Sequence, residues 1–274
     1  MKKIFIALLI LATGLAAFPL RADVLVLVHG YLSGAQSWDT SGITTILQQN
    51  NWQRAGTFVT GPAGIRLIPA AGTRAEHKFY AVDLPSEAPV LVQVQLLRGV
   101  LSSITATHAG EPITLVGHSA GGVVARTALV LGGAGNVKAL ITIASPHLGT
   151  SRAEQALDAT DIPFPFSMIT DFFGGNGYHT LMRSRSLYVD LVRPRPGTLL
   201  YWLNGQAHPD VKYFSIVHGL TPAGWGDEIV PAYSQDMNNV PVLQGRSTRV
   251  AIPAAHGLEP LDGSVIVNLL SGKK

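Results

Sequence analysis

Apolar residues in this chain fall in short unbroken runs that end in small or polar residues, the pattern of strands buried on both faces of a parallel sheet. Val24 to Val28 runs into His29-Gly30, Phe79 to Val82 into Asp83, Ile113 to Val116 into Gly117, and Ala139 to Ile143 into Ala144-Ser145-Pro146. Tyr213 to Val217 and Arg249 to Ile252 read as two further strands. Between these runs the period changes. Val90, Val94, Leu97, Leu101 and Ile104 recur at helical spacing, Val123, Val124, Thr127 and Leu131 follow Gly121-Gly122, and Val265 to Leu270 forms a closing helix. Strands that alternate with helices predict an α/β fold with about six mostly parallel strands flanked by helices.

Two stretches break the rhythm. Residues from about 150 to 198 hold Phe164, Phe166, Phe172 and Phe173 among prolines and glycines, and read as an inserted cap or lid. Asn51 to His77 reads as a long connection. At the start, Lys2 and Lys3 precede an apolar run that continues small and apolar to Ala22, the layout of a secretory signal peptide. Residues 1–22 are therefore expected to be a leader and 23–274 a single domain, placing the protein outside the cytoplasm, secreted or periplasmic.

Removing that leader changes the charge. Lys and Arg number 20 against 17 Asp and Glu, and three of the bases (Lys2, Lys3, Arg21) lie in the leader, which leaves 17 against 17. A neutral surface with scattered bases argues against nucleic acid as a partner. With only 14% charged residues, apolar company is the better match, including transient contact with a lipid surface. The sequence says nothing about oligomeric state. The absence of cysteine excludes disulfides, a thiol nucleophile and a lipidated N-terminal cysteine.

The sharpest chemical signal is Gly117-His118-Ser119-Ala120-Gly121-Gly122, a G-x-S-x-G pattern between a buried strand and a helix. A serine at that turn is held with its hydroxyl exposed. Gly117 and Gly121 supply the room for strand and helix to approach. The helix start aims free N–H groups at the same point, where they would stabilise charge developing on a substrate oxygen.

A serine nucleophile needs a base, and imidazole has a suitable pKa. Of nine histidines, His256 is favoured because its loop follows the last strand, at the edge where the other strands deliver theirs. His218 reads as structural, and His118 and His147 as pocket-shaping neighbours of the turn, with His118 a candidate substrate contact. The base in turn needs a carboxylate. Asp227, in Gly226-Asp227-Glu228-Ile229-Val230-Pro231, fits best, with Glu228 and Asp236 as rivals. Oxyanion donors are expected from the N–H of Ala120 and, after the first strand, of Tyr31, with His29 and Gly30 supporting that loop.

These residues resemble the α/β-hydrolase superfamily, in its bacterial secreted lipase and esterase branch, over essentially the whole of 23–274. Val28-His29-Gly30 is similar to that family's oxyanion loop and Gly117 to Gly122 to its nucleophile elbow. Ala144 to Thr150 resembles the stretch these lipases carry after the next strand, and Gly226 to Pro231 their acid loop. The order Ser119, Asp227, His256 is the superfamily's. The resemblance implies an α/β-hydrolase fold in a reduced version without its first two strands, and a serine hydrolase that cleaves acyl esters or lipids of medium to long chain through an acyl-enzyme. A short-chain esterase, thioesterase, polyester depolymerase or acyltransferase would use the same triad, and a hydrolase-fold binding protein is the alternative outside enzymes. No cofactor is expected. Calcium is doubtful, because the position two after His256, where larger lipases of this branch place an aspartate ligand, is Leu258.

Overall fold

The computed structural model describes residues 23–61, 63–72, 76–133, 135–161, 177–219 and 226–271. An eight-stranded sheet forms its centre: β1 (Val24–Val28), β2 (Trp52–Gly61), β3 (Gly64–Pro69), β4 (His77–Asp83), β5 (Ile113–His118), β6 (Val137–Ile143), β7 (Lys212–His218) and β8 (Ser247–Ile252), in the order β3-β2-β4-β1-β5-β6-β7-β8. Every pairing is parallel except β2 with β3.

All five residues of β1 are fully buried, each burial contributing roughly 1.5–3 kcal/mol for a side chain of this size. Alternate side chains divide between two cores. Val24, Val26 and Val28 pack with α3 (Val90–Thr107) and α4 (Ala120–Ala128) on one face. Leu25 and Leu27 pack with Trp38 of α1 (Ser37–Thr40), Ile43 and Leu47 of α2 (Ile43–Gln49), and Ile266 of the closing helix on the other.

All six strands expected from the apolar runs are present. The other two lie in the stretch read as a connection, and this corrects both that reading and the expected count. Burial explains the miss: β2 alternates irregularly around a register shift between Arg54 and Gly56, and β3 is exposed along its whole length, so neither carries a clean apolar run. The two strands extend the β4 side of the sheet, the edge that the reduced version of the fold would have left short.

Between β6 and β7 the chain forms α5 (Ser151–Asp161), α6 (Gly177–Arg183), α7 (Arg185–Leu191) and α8 (Leu199–Asn204). The expected cap residues Phe164, Phe166, Phe172 and Phe173 lie outside the described residues, as does the expected leader. After β7 come α9 (Ala232–Gln235), two short 3-10 turns, and α10 (Pro260–Ser271) after β8.

Register decides what meets what. Val28 pairs with Gly117, His118 with Ile143, and His218 with Ile252, so the loops after β1, β5, β6, β7 and β8 leave the sheet at one edge. Chain order also reverses between β1 and β5, where an open α/β sheet offers a crevice.

Candidate active site

Ser119 stands in that crevice, between the end of β5 and the start of α4, with φ 52° and ψ −127°. A non-glycine residue at positive φ costs free energy, and the surroundings must impose it. Here the Ser119 N–H donates to the carbonyl of Ile143 at 2.8 Å, tying the turn to β6. The flanking glycines are sterically required. A Cβ at Gly117 would lie 2.5 Å from Gly122 Cα, and one at Gly121 would lie 2.2 Å from the carbonyl oxygen of His29.

His256 Nε2 is 2.8 Å from Ser119 Oγ, and His256 Nδ1 is 2.9 Å from Asp227 Oδ2. A carboxylate only accepts, so Nδ1 carries the hydrogen and Nε2 is the acceptor for the serine hydroxyl. The Asp227 side chain is fully buried, and its other oxygen accepts the N–H groups of Ile229 (2.8 Å) and Val230 (2.6 Å). Gln235 Nε2 adds a donor 3.1 Å from Asp227 Oδ2. Glu228 is exposed and meets the His256 main chain instead of its ring, and Asp236 caps the turn at Asn238.

The first loop is set from below. His29 Nδ1 donates to the carbonyl of Gly30 at 2.9 Å, while its Nε2 accepts the N–H of Leu84 at 3.0 Å. Holding the Gly30 oxygen orients the peptide that carries the Tyr31 N–H, because the two groups point in opposite directions across a trans peptide. Burial, opposed by those hydrogen bonds, keeps the His29 ring below its ordinary pKa. Ala120 opens α4, so its N–H has no intrahelical acceptor.

His118 was expected to touch substrate, but the structure turns it elsewhere. Its Nε2 donates to the carbonyl of His256 at 2.8 Å, and the ring packs behind the His256 ring. It does not line the cavity at Ser119. Burial, followed by the neighbouring His256, pushes its pKa down to about 3, so it stays neutral. His147 is also buried and held well below its ordinary value by burial.

The cavity beside Ser119 measures about 420 Å³. Tyr31 and Ala120 flank the serine, and the walls include Ala153 and Ala156 of α5, Leu187, Tyr188 and Leu191 of α7, and Ile229 and Val230 after Asp227, with Thr150 and Arg152 as polar members. The Tyr31 and Tyr188 hydroxyls hydrogen-bond, linking the first loop to α7. The sequence reading missed these wall residues and Gln235. The signal for the walls was the helical spacing of Ala153 with Ala156 and of Leu187 with Leu191; nothing local singled out Gln235.

Residues 24–160 match the family described as PGAP1-like alpha/beta domain. The chain belongs to that family. In three dimensions this PGAP1-like chain is similar to the lin2722 gene product of Listeria innocua (TM-score 0.62, 15% identity, covering 92% of this chain and 95% of that one). It is also similar to the mature lipase BlEst2 of Bacillus licheniformis (0.58, 15%, 93% and 93%) and to the esterase EaEST of Exiguobacterium antarcticum (0.51, 14%, 92% and 91%). At such identities the likeness is one of fold, and the fold is the α/β-hydrolase fold. No curated protein matches the chain in sequence.

Proposed function

We propose that the protein is a serine carboxylic-ester hydrolase acting on acyl esters of medium to long chain. The observation that carries this reading is the chain of hydrogen bonds from Ser119 Oγ through the His256 ring to buried Asp227, at 2.8 and 2.9 Å. The lipase and esterase folds of its structural neighbours agree with an ester or lipid substrate.

In this mechanism Ser119 Oγ attacks the ester carbonyl as His256 Nε2 takes its proton, and Asp227 stabilises the imidazolium. The N–H groups of Tyr31 and Ala120 hold the oxyanion. His256 returns the proton to the leaving alcohol, and water then releases the acid from the acyl-enzyme. An acyl chain fits the apolar walls contributed by α5 and α7, and a cavity of about 420 Å³ lies within the range of roughly 300–1,000 Å³ typical of small-molecule sites. Residues 150–198 then act as the cap over this chain, and residues 1–22 as an export leader that makes the mature enzyme secreted or periplasmic.

No metal enters the proposal. Leu258 packs against an apolar cluster, which does not suit a hard cation that takes oxygen ligands.

The test is kcat/KM of residues 23–274 on p-nitrophenyl esters from acetate to palmitate, with Ser119→Ala as the blank. A maximum at octanoate or longer is expected. A maximum at acetate or butyrate overturns the chain-length reading, and no serine-dependent turnover overturns the ester hydrolase.

A further inference from the structure

His218 ends β7, and its side chain is fully buried, as is that of Asp262 in the first turn of α10. Its Nε2 is 2.8 Å from Asp262 Oδ1, and its Nδ1 is 2.6 Å from the carbonyl oxygen of Ala255, the residue before His256. The main chain of His218 reaches the other way. Its N–H donates to Gln235 Oε1 at 2.7 Å, and its carbonyl lies 3.1 Å from Gln235 Nε2. The same Nε2 is 3.1 Å from Asp227 Oδ2 and 2.8 Å from the carbonyl of Val230. One residue therefore holds the loop of the base by its ring and, through the Gln235 side chain bound to its backbone, the loop of the acid.

Both ring nitrogens face acceptors. A carbonyl oxygen cannot donate, and Asp262 already accepts the N–H of Glu259 at 2.9 Å through its second oxygen, as a carboxylate does. The ring is fully satisfied as the imidazolium. The titratable groups around it are Asp262 from α10, Asp227 from the acid loop and His118 from the end of β5. His118 is neutral, so one cation sits among two carboxylates. Burial opposes the charge, but the hydrogen bond and charge of Asp262 outweigh it and raise the His218 pKa above its ordinary value.

We propose that His218 is a positioning residue for the Ser119–His256–Asp227 site: paired with Asp262 it clamps the carbonyl of Ala255, and through Gln235 it fixes the carboxylate of Asp227. It thereby sets the reach across which base and acid meet. This rests on the ester-hydrolase reading of that site. Loss of the ring proton removes one of the two side-chain donors and frees the His256 loop, and a misplacement of about 1 Å at a reacting group lowers rates by up to roughly 10²-fold.

The test uses residues 23–274 as wild type, His218→Gln and Asp262→Asn. It records kcat and KM on a p-nitrophenyl ester against pH, the rate of fluorophosphonate labelling of Ser119, and nitrogen-15 NMR of the histidine rings. The expected result is a His218 ring protonated on both nitrogens at pH 7. In folded His218→Gln, kcat and the labelling rate fall at least tenfold with KM changed less than threefold, and the alkaline loss of kcat that accompanies ring deprotonation in wild type disappears. A folded His218→Gln with wild-type kcat, or a neutral ring at pH 7, overturns the proposal. Should both variants fail to fold, wild type alone decides: kcat that is indifferent to deprotonation of the ring overturns it, and kcat that falls with the ring proton supports it. A wild type inert to both ester and fluorophosphonate sinks the hydrolase reading itself, whereas an active wild type matched by its variants sinks only the role of His218.

Discussion

Glu228 and His256 meet through the main chain: Glu228 Oε1 accepts the backbone N–H of His256 at 3.3 Å, while the neighbouring Asp227 takes the ring. Adjacent carboxylates thus hold the two ends of one residue, and only the buried one faces the imidazole. Asp227→Asn should lower kcat by about 10⁴-fold, because the amide can offer a donor where the ring needs an acceptor. Glu228→Gln should stay within a few-fold of wild type. Steady-state kinetics of both variants checks this, and a larger loss in Glu228→Gln would reverse the assignment.

The backbone of Ser119 is strained, with φ at 52°. Ser119→Gly relieves the positive φ while removing the proposed nucleophile. It should therefore be inactive yet as stable as wild type, or more stable by up to about 2 kcal/mol. Urea unfolding of the two proteins gives the answer.

Gly121 lies against the main chain of β1, and backbone cannot move aside as a side-chain tip can. Gly121→Ala should destabilise the fold by about 3 kcal/mol or more and lower activity by separating the Ser119 turn from the Tyr31 loop. Full activity at an unchanged melting temperature would refute it.

Ala156 lines the cavity between α5 and α7, at some distance in sequence from Ser119, Asp227 and His256. Ala156→Phe fills part of that space. It should reduce kcat/KM on a palmitate ester at least tenfold and leave the acetate ester within about threefold. Equal losses on both would remove the cavity from acyl recognition.

His118 has a folded pKa of about 3 against an ordinary 6.5, so below pH 6.5 the unfolded chain takes up a proton that the native ring refuses. Native stability is therefore lost as pH falls from 6.5 toward 3, at about 1.4 kcal/mol per pH unit from this group alone. Buried His29, His147 and His208 shift in the same direction and steepen the slope. Urea unfolding between pH 7 and 4 should show this decline. His118→Gln should shallow it by about one proton.

The local pattern carried a great deal. Runs such as Val24 to Val28 are apolar because both sheet faces are covered, so six strands, their order in the chain and the turn that holds Ser119 were legible from composition and spacing alone. Asp227 and Glu228 share one loop, so the position of that loop singled out the pair and not the member, and the sequence had no means of showing that one acid side chain is buried and the other exposed. The β2–β3 hairpin was hidden because the edge strand β3 is exposed along its whole length and β2 is buried only at scattered positions, so neither needs an apolar run. His118 looked like a substrate contact because it adjoins Ser119 in sequence, yet adjacent residues at a sharp turn point to opposite sides. Tertiary structure alone decided the remaining relationships. Sheet register brought the ends of β1, β5, β7 and β8 to one edge, and residues as far apart as Ser119 and His256, or His218 and Asp262, became neighbours through that register. Propensity and spacing act over a few residues, whereas hydrogen-bond partners across a sheet edge are fixed only when the whole sheet has formed.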